Sequence, residues 1–181
     1  MTRWNQVNIP EDVTFEDAIA LTQSLMTQLS SGELSQVDAA SAIAQLVKTT
    51  NGARGFFVTY LTADDSLADN PSPEVIQALQ SSPDTVAELL VKNLAMSAAM
   101  AITHRRNQNE AMAQGSDRVR RRTIHLIEQI NLPQVQEKVV ALRESAITGE
   151  GSYKAFLERW QYDAQQREII RQTLDQVIVE G

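Results

Sequence analysis

Leu89-Leu90-Val91-Lys92-Asn93-Leu94-Ala95-Met96-Ser97-Ala98-Ala99-Met100-Ala101-Ile102 is the stretch whose reading decides the fold. On a helical wheel Leu89, Leu90, Val91, Leu94, Met96, Met100 and Ile102 point in all directions. A helix that is apolar all round belongs in an interior, because no face of it gains from water. Ala95, Ala98, Ala99 and Ala101 fill the gaps and let neighbouring backbones come close. The stretch therefore predicts a central buried helix over 89–102. A Met-lined cofactor pocket is the rival reading. Core packing explains the same residues without a ligand, so no cofactor is expected. Glu88, Lys92 and Asn93 interrupt the apolar tract from Val86 to Ile102. A membrane span needs about 20 mostly apolar residues, so no span is expected.

Working outward, amphipathic periodicity recurs on both sides. Phe15, Ala18, Ile19, Thr22, Leu25, Met26 and Leu29 are spaced by threes and fours. Thr14 is placed to cap that helix, and Ser31-Gly32 to end it. Ser35 opens a second helix with Ala39, Ala40, Ile43, Leu46 and Val47 inside. Together these predict a helical hairpin subregion over 14–48. Ser72-Pro73-Glu74 and Ser82-Pro83-Asp84 each place a hydroxyl, a proline and an acid in the order that starts helices. Phe56-Phe57-Val58-Thr59-Tyr60-Leu61 has the composition of a strand. No convincing partner strand exists, so a helix over 52–63, capped by Asn51, is expected. A polar loop over 63–72 follows it. Beyond Ile102 the pattern loosens at Asn107-Gln108-Asn109 and Gly115, where the helix either breaks or emerges into solvent, and helical periodicity returns from Ser116, a good cap, to Asn131. Further helices are expected over 133–147, 152–161 and 163–178. Tyr153, Phe156, Leu157 and Trp160 form a stripe that packs internally or against another copy. The whole reads as an all-α single globular domain, 1–181, of about seven or eight helices around the central one.

Composition narrows the chemistry. The chain has no Cys, which removes disulfides, thiolate metal sites and cysteine nucleophiles and fits a reducing cytoplasm. The first residues carry no signal-peptide core. No dinucleotide fingerprint, phosphate-cradling loop or nucleophile elbow is present. Asn51-Gly52-Ala53-Arg54-Gly55 lacks a preceding strand, and Gly149-Glu150-Gly151 reads as a turn. His125 and Glu128 reverse the order used in di-iron bundles and have no second copy, so no metal is expected.

Charge gives the functional lead. Residues 104–125 hold six arginines and both histidines against Glu110 and Asp117, a surplus of +4 in a chain of net −7. Residues 1–103 hold 4 Lys/Arg against 12 Asp/Glu, and residues 126–181 hold 6 against 9. On a wheel with Arg118 at the origin, Arg121, Arg122, His125 and Gln129 fall on one polar face within about 60° of it. Val119, Thr123, Leu126, Ile127 and Ile130 oppose them. Arg120 lies near the inner edge, at about 200°, and is expected to be buried and paired with groups of another segment.

Three uses of the basic face follow. In the leading one, His104, Arg105, Arg106, Arg118, Arg121, Arg122 and His125 dock an acidic protein partner, with no enzymatic activity. The second is a pocket for a small anion or phosphate, or an enzyme, built from the same His/Arg cluster. The third is weak RNA binding, which the acidic remainder of the chain disfavours. A plain alternative is a solvated face balancing Asp64, Asp65, Asp69 or other acids. The oligomeric state stays open, with a homodimer among the outcomes.

Ser72-Pro73-Glu74-Val75-Ile76 through Val91-Lys92-Asn93-Leu94-Ala95-Met96, with His104-Arg105-Arg106 and Arg120-Arg121-Arg122, resembles uncharacterised proteins from cyanobacteria. The resemblance implies a cytoplasmic bacterial protein near the photosynthetic machinery. It implies no activity.

Overall fold

Phe56-Phe57-Val58-Thr59-Tyr60-Leu61, strand-like in composition, is helical. The physical reason is spacing. Phe56, Phe57, Tyr60 and Leu61 are all buried, and Val58 between them is 42% exposed. A helix gathers positions i, i+1, i+4 and i+5 on one side, whereas a strand would split them between two faces. Phe56 then stacks on Tyr60, with ring centroids 4.9 Å apart. The helix begins two residues earlier than expected, because Thr49 rather than Asn51 caps it. The Thr49 hydroxyl accepts the Gly52 N–H at 3.1 Å.

The structure is a computed structural model that describes residues 9–179. Those residues form nine α-helices and no strand. They are α1 (Phe15–Ser30), α2 (Gln36–Leu46), α3 (Thr50–Thr62), α4 (Pro73–Gln80), α5 (Pro83–Arg106), α6 (Glu110–Ile130), α7 (Pro133–Thr148), α8 (Lys154–Arg159) and α9 (Ala164–Asp175). A 3-10 turn, Leu67–Asp69, lies within the expected 63–72 loop. The all-α reading is correct. The helices gather into two compact units, one ending at Leu89 and the next beginning at Leu90.

In the first unit α1 packs on α3, and α2 packs on α4 and α3. The caps are those the sequence marks. The Thr14, Ser35 and Ser72 hydroxyls accept the Asp17, Asp38 and Val75 N–H groups respectively. The α1–α3 contact is a close backbone approach made at Gly55. A Cβ there would lie 2.4 Å from Ala18 Cβ and 2.8 Å from the Phe15 carbonyl. Leu25, Ile43, Leu46, Phe56, Phe57 and Leu79 fill the core.

In the second unit α7 packs on α9 and α8. Asn131, in the left-handed conformation at φ 50°, ends α6, and Gly149 at φ 75° ends α7. Asp163 and Gln166 form a reciprocal capping box at the start of α9. The buried Gln166 amide also donates to the Ala99 carbonyl at 3.0 Å and the Thr103 hydroxyl at 2.8 Å. That side chain fixes α9 to α5 with nearly every polar atom satisfied.

The α5 reading needs one correction. Leu90, Val91, Leu94, Ala95, Ala98 and Ala99 are fully buried, but Leu89, Met96, Met100 and Ile102 are only half-buried. Leu89, Lys92, Asn93, Met96, Met100 and Thr103 recur at helical spacing and make one partly wet stripe. Lys92, Asn93 and Thr103 are its polar members, and the flexible methionines lie along it. By length and composition α5 would also suffice to cross a membrane. Most of its apolar positions are nevertheless covered by protein, as in a core helix.

Candidate functional site

The basic window folds as the end of α5, a three-residue turn and α6. Helix α5 stops at Arg106 because Gln108 takes a left-handed conformation, φ 56°. The Asn109 N–H then bonds the His104 carbonyl at 2.8 Å, and the Gln108 N–H bonds the Arg105 carbonyl at 3.1 Å. This paired pattern closes a helix and satisfies its last carbonyls. It also leaves Arg105 and Arg106 in the last turn, where positive charge complements the helix dipole. Asn109 caps α6 by accepting the Met112 N–H at 3.2 Å. So α6 starts at Glu110, six residues before the Ser116 start that Gly115 suggested. A single glycine inside a helix costs about 1 kcal/mol and does not break it.

Adjacent positions on a helix diverge by about 100°, and Arg105 and Arg106 show it. Arg105 reaches α6. Its Nη2 lies 2.7 Å from Asp117 Oδ2 and 3.2 Å from Glu110 Oε1. Arg106 reaches α9. Its Nη1 lies 2.6 Å from Asp163 Oδ2, and its Nη2 donates to Gln165 Oε1 at 2.5 Å. Both side chains remain about 45% exposed. The Arg105 guanidinium holds the Asp117 carboxyl below its usual range, and Arg106 does the same for Asp163.

The order of burial along α6 reverses the expected one. Arg122 is 3% exposed, whereas Arg120 retains 29% side-chain exposure. Arg120 Nη2 turns back to Asp117 Oδ1 of its own helix at 3.5 Å, not to another segment. Two causes are visible. The buried residues Arg122, Thr123, Leu126, Ile127, Ile130 and Ala113 cover an arc from about 40° to 220°, wider than the apolar residues alone mark. Arg120, at the far edge of that arc, is long enough to carry its charge out to the half-buried Asp117. Arg122 lies one turn before Leu126 on the buried side.

The other expected site residues are spread along the two helices. Arg121 is exposed, and its charge acts on the Asp117 carboxyl. Arg118 is half-buried. His104 is half-buried in the last turn of α5. His125 Nε2 lies 2.9 Å from the Gln129 amide nitrogen. Arg105 and Arg106 leave α5 toward different helices, so the structure does not gather the His/Arg cluster around one point. Among the described residues no group of three or more His, Asp or Glu is placed to hold a metal.

Sequence reasoning named Glu110 and Asp117 as counter-charges but missed Asp163 and Gln165. The Asp163-x-x-Gln166 capping signature was legible, but nothing in the sequence tied it to Arg106, 57 residues away. The acidic pairings make a prediction. A carboxyl depressed in the folded state contributes stability above its unfolded pKa and loses it as pH falls through the folded value. Asp117→Asn should therefore be less stable than the parent at pH 7, and the difference should shrink below about pH 4. Urea titrations at several pH values check this. A difference constant down to acid pH would rule out the ion pairs as its source.

No curated protein and no solved structure matches the chain significantly. A family model described as uncharacterised conserved protein UCP020893 matches residues 14–177, from the cap of α1 to two residues beyond α9, and the chain belongs to that family.

Proposed function

We propose that the protein is a non-enzymatic helical interaction protein that docks an acidic protein partner at the α5–α6 turn and on the outer face of α6. One observation carries the reading. Arg105 and Arg106 present guanidinium groups to solvent at a capped helix end, each held in place by a carboxylate, and the exposed Arg121 acts on the same Asp117 that holds Arg105. A guanidinium fixed in this way loses less side-chain freedom when a further anion binds. The window keeps a positive surplus after Glu110 and Asp117 are counted, and that surplus steers an acidic surface toward it. Arg122 has no part in the docking, because it is buried. The absence of Cys and the resemblance to cyanobacterial proteins support a cytoplasmic setting in such a bacterium.

Fluorescence anisotropy with a labelled Glu-rich peptide tests the reading. The parent should bind with an affinity that falls as salt rises. Arg121→Glu should weaken binding about tenfold, the scale of one lost charge pair, without changing the thermal midpoint. Equal binding by the variant would overturn it. So would a labelled RNA oligonucleotide that competes with the peptide at equal or lower concentration, which would favour nucleic acid.

A further inference from the structure

The stripe Tyr153, Phe156, Leu157 and Trp160 does not close on itself. Tyr153 and Leu157 are buried and Phe156 is half-buried, but Trp160 is 47% exposed. Tryptophan is largely buried in most folds, so a half-exposed one is informative. The residue sits at the corner between α8 and α9, and the corner is rigid for three reasons. Beneath it Tyr153, Phe156 and Tyr162 form an edge-to-face chain, with centroids 6.4 and 6.2 Å apart. Gln161 holds a left-handed conformation at φ 54°, uncommon for a residue with a side chain. The capping box at Asp163 then fixes the start of α9. Arg159 is also exposed, and its guanidinium carbon lies 5.6 Å from the Trp160 ring centroid. A rigid, exposed Trp–Arg pair is the kind of feature that dominates binding energy in protein interfaces.

We propose that this corner is a self-association surface, and that its occupant is the same corner of a second copy. The charges argue for that occupant. Around Trp160 the signs are mixed and balanced: Lys154 pairs with Glu150, and Glu158 stands beside Arg159. In a two-fold contact any pairing of one residue with another is made twice, so an Arg159–Glu158 pair across the seam would form on both sides of the packed indoles. The wider charge distribution agrees. Residues 1–89 hold 3 Lys/Arg against 12 Asp/Glu, whereas residues 90–181 hold 13 against 11. A corner in the near-neutral unit lets two copies of a strongly acidic chain meet without facing like charge. The corner is small, so dissociation is expected in roughly the 10–100 µM range.

Sedimentation equilibrium on the full chain tests the proposal. The average mass should rise with concentration toward twice the 20.1 kDa of one chain. Trp160→Ala should raise the dissociation constant about thirtyfold, the effect of losing a hot-spot residue. Glu158→Arg and Arg159→Glu should each weaken the dimer, and the two together should restore it. That swap decides the matter even if Trp160→Ala perturbs the corner. A monomer at every concentration up to about 1 mM would overturn the proposal. So would a dimer indifferent to Trp160→Ala and to the charge swap.

Discussion

Leu94→Ala is expected to lower the free energy of unfolding by about 2–5 kcal/mol, as large-to-small changes in a packed interior do. Leu94 has no exposed surface, and its flanking positions on the same side of α5, Leu90, Val91 and Ala98, are equally covered. The lost methyl groups leave a void in a fully buried position. Met100→Ala, six residues on, should cost about 1 kcal/mol or less, because that side chain is already half in water and flexible. Urea unfolding of the two variants side by side gives the comparison. Equal losses would mean that α5 is covered evenly on all sides, contrary to the stripe seen at Leu89, Lys92, Met96 and Met100.

Gly55→Ala is expected to destabilise the first unit by about 1–3 kcal/mol, the usual cost of forcing extra atoms into a filled contact. The new methyl would meet Ala18 Cβ at 2.4 Å and the Phe15 carbonyl at 2.8 Å. Both neighbours belong to the rigid α1, so neither can swing aside as a long side chain would. The intrinsic helix preference of alanine over glycine works the other way, by up to about 1 kcal/mol, and the clash exceeds it. Ala18→Gly removes one of the two clashes. The double variant should therefore recover part of the loss, a coupling that only residues in contact show. A Gly55→Ala chain that melts no lower than its parent would refute the close approach of α1 and α3.

Much of this architecture was legible in the residue order, because it rests on local rules. Thr14, Ser35 and Ser72 cap the helices they were expected to cap, since an N-cap needs only a short polar side chain and an adjoining helix. The strand-like run at 56–61 was settled by the lack of a partner strand, and its buried pairs agree. The candidate site was less legible. Which arginine is buried depends on what lies over α6, and a wheel records only what lies on it. It therefore placed Arg122 in water and Arg120 in the core. The Arg106–Asp163 pair is nonlocal, and no spacing rule reaches across 57 residues. Gly115 misled for the opposite reason: glycine is a weak penalty inside a long helix, not a stop.

Helix α5 begins before Leu89 and runs on to Arg106 without interruption. The border between the two units is thus no linker in the chemical sense. It falls between two consecutive residues of one helix. Genes shuffle modules most readily where the joint is slack and polar. A break here would instead sever a helix next to Leu90 and Val91, both fully buried. Cutting the chain between Leu89 and Leu90 is therefore expected to give fragments that do not keep α5 helical to its cut ends.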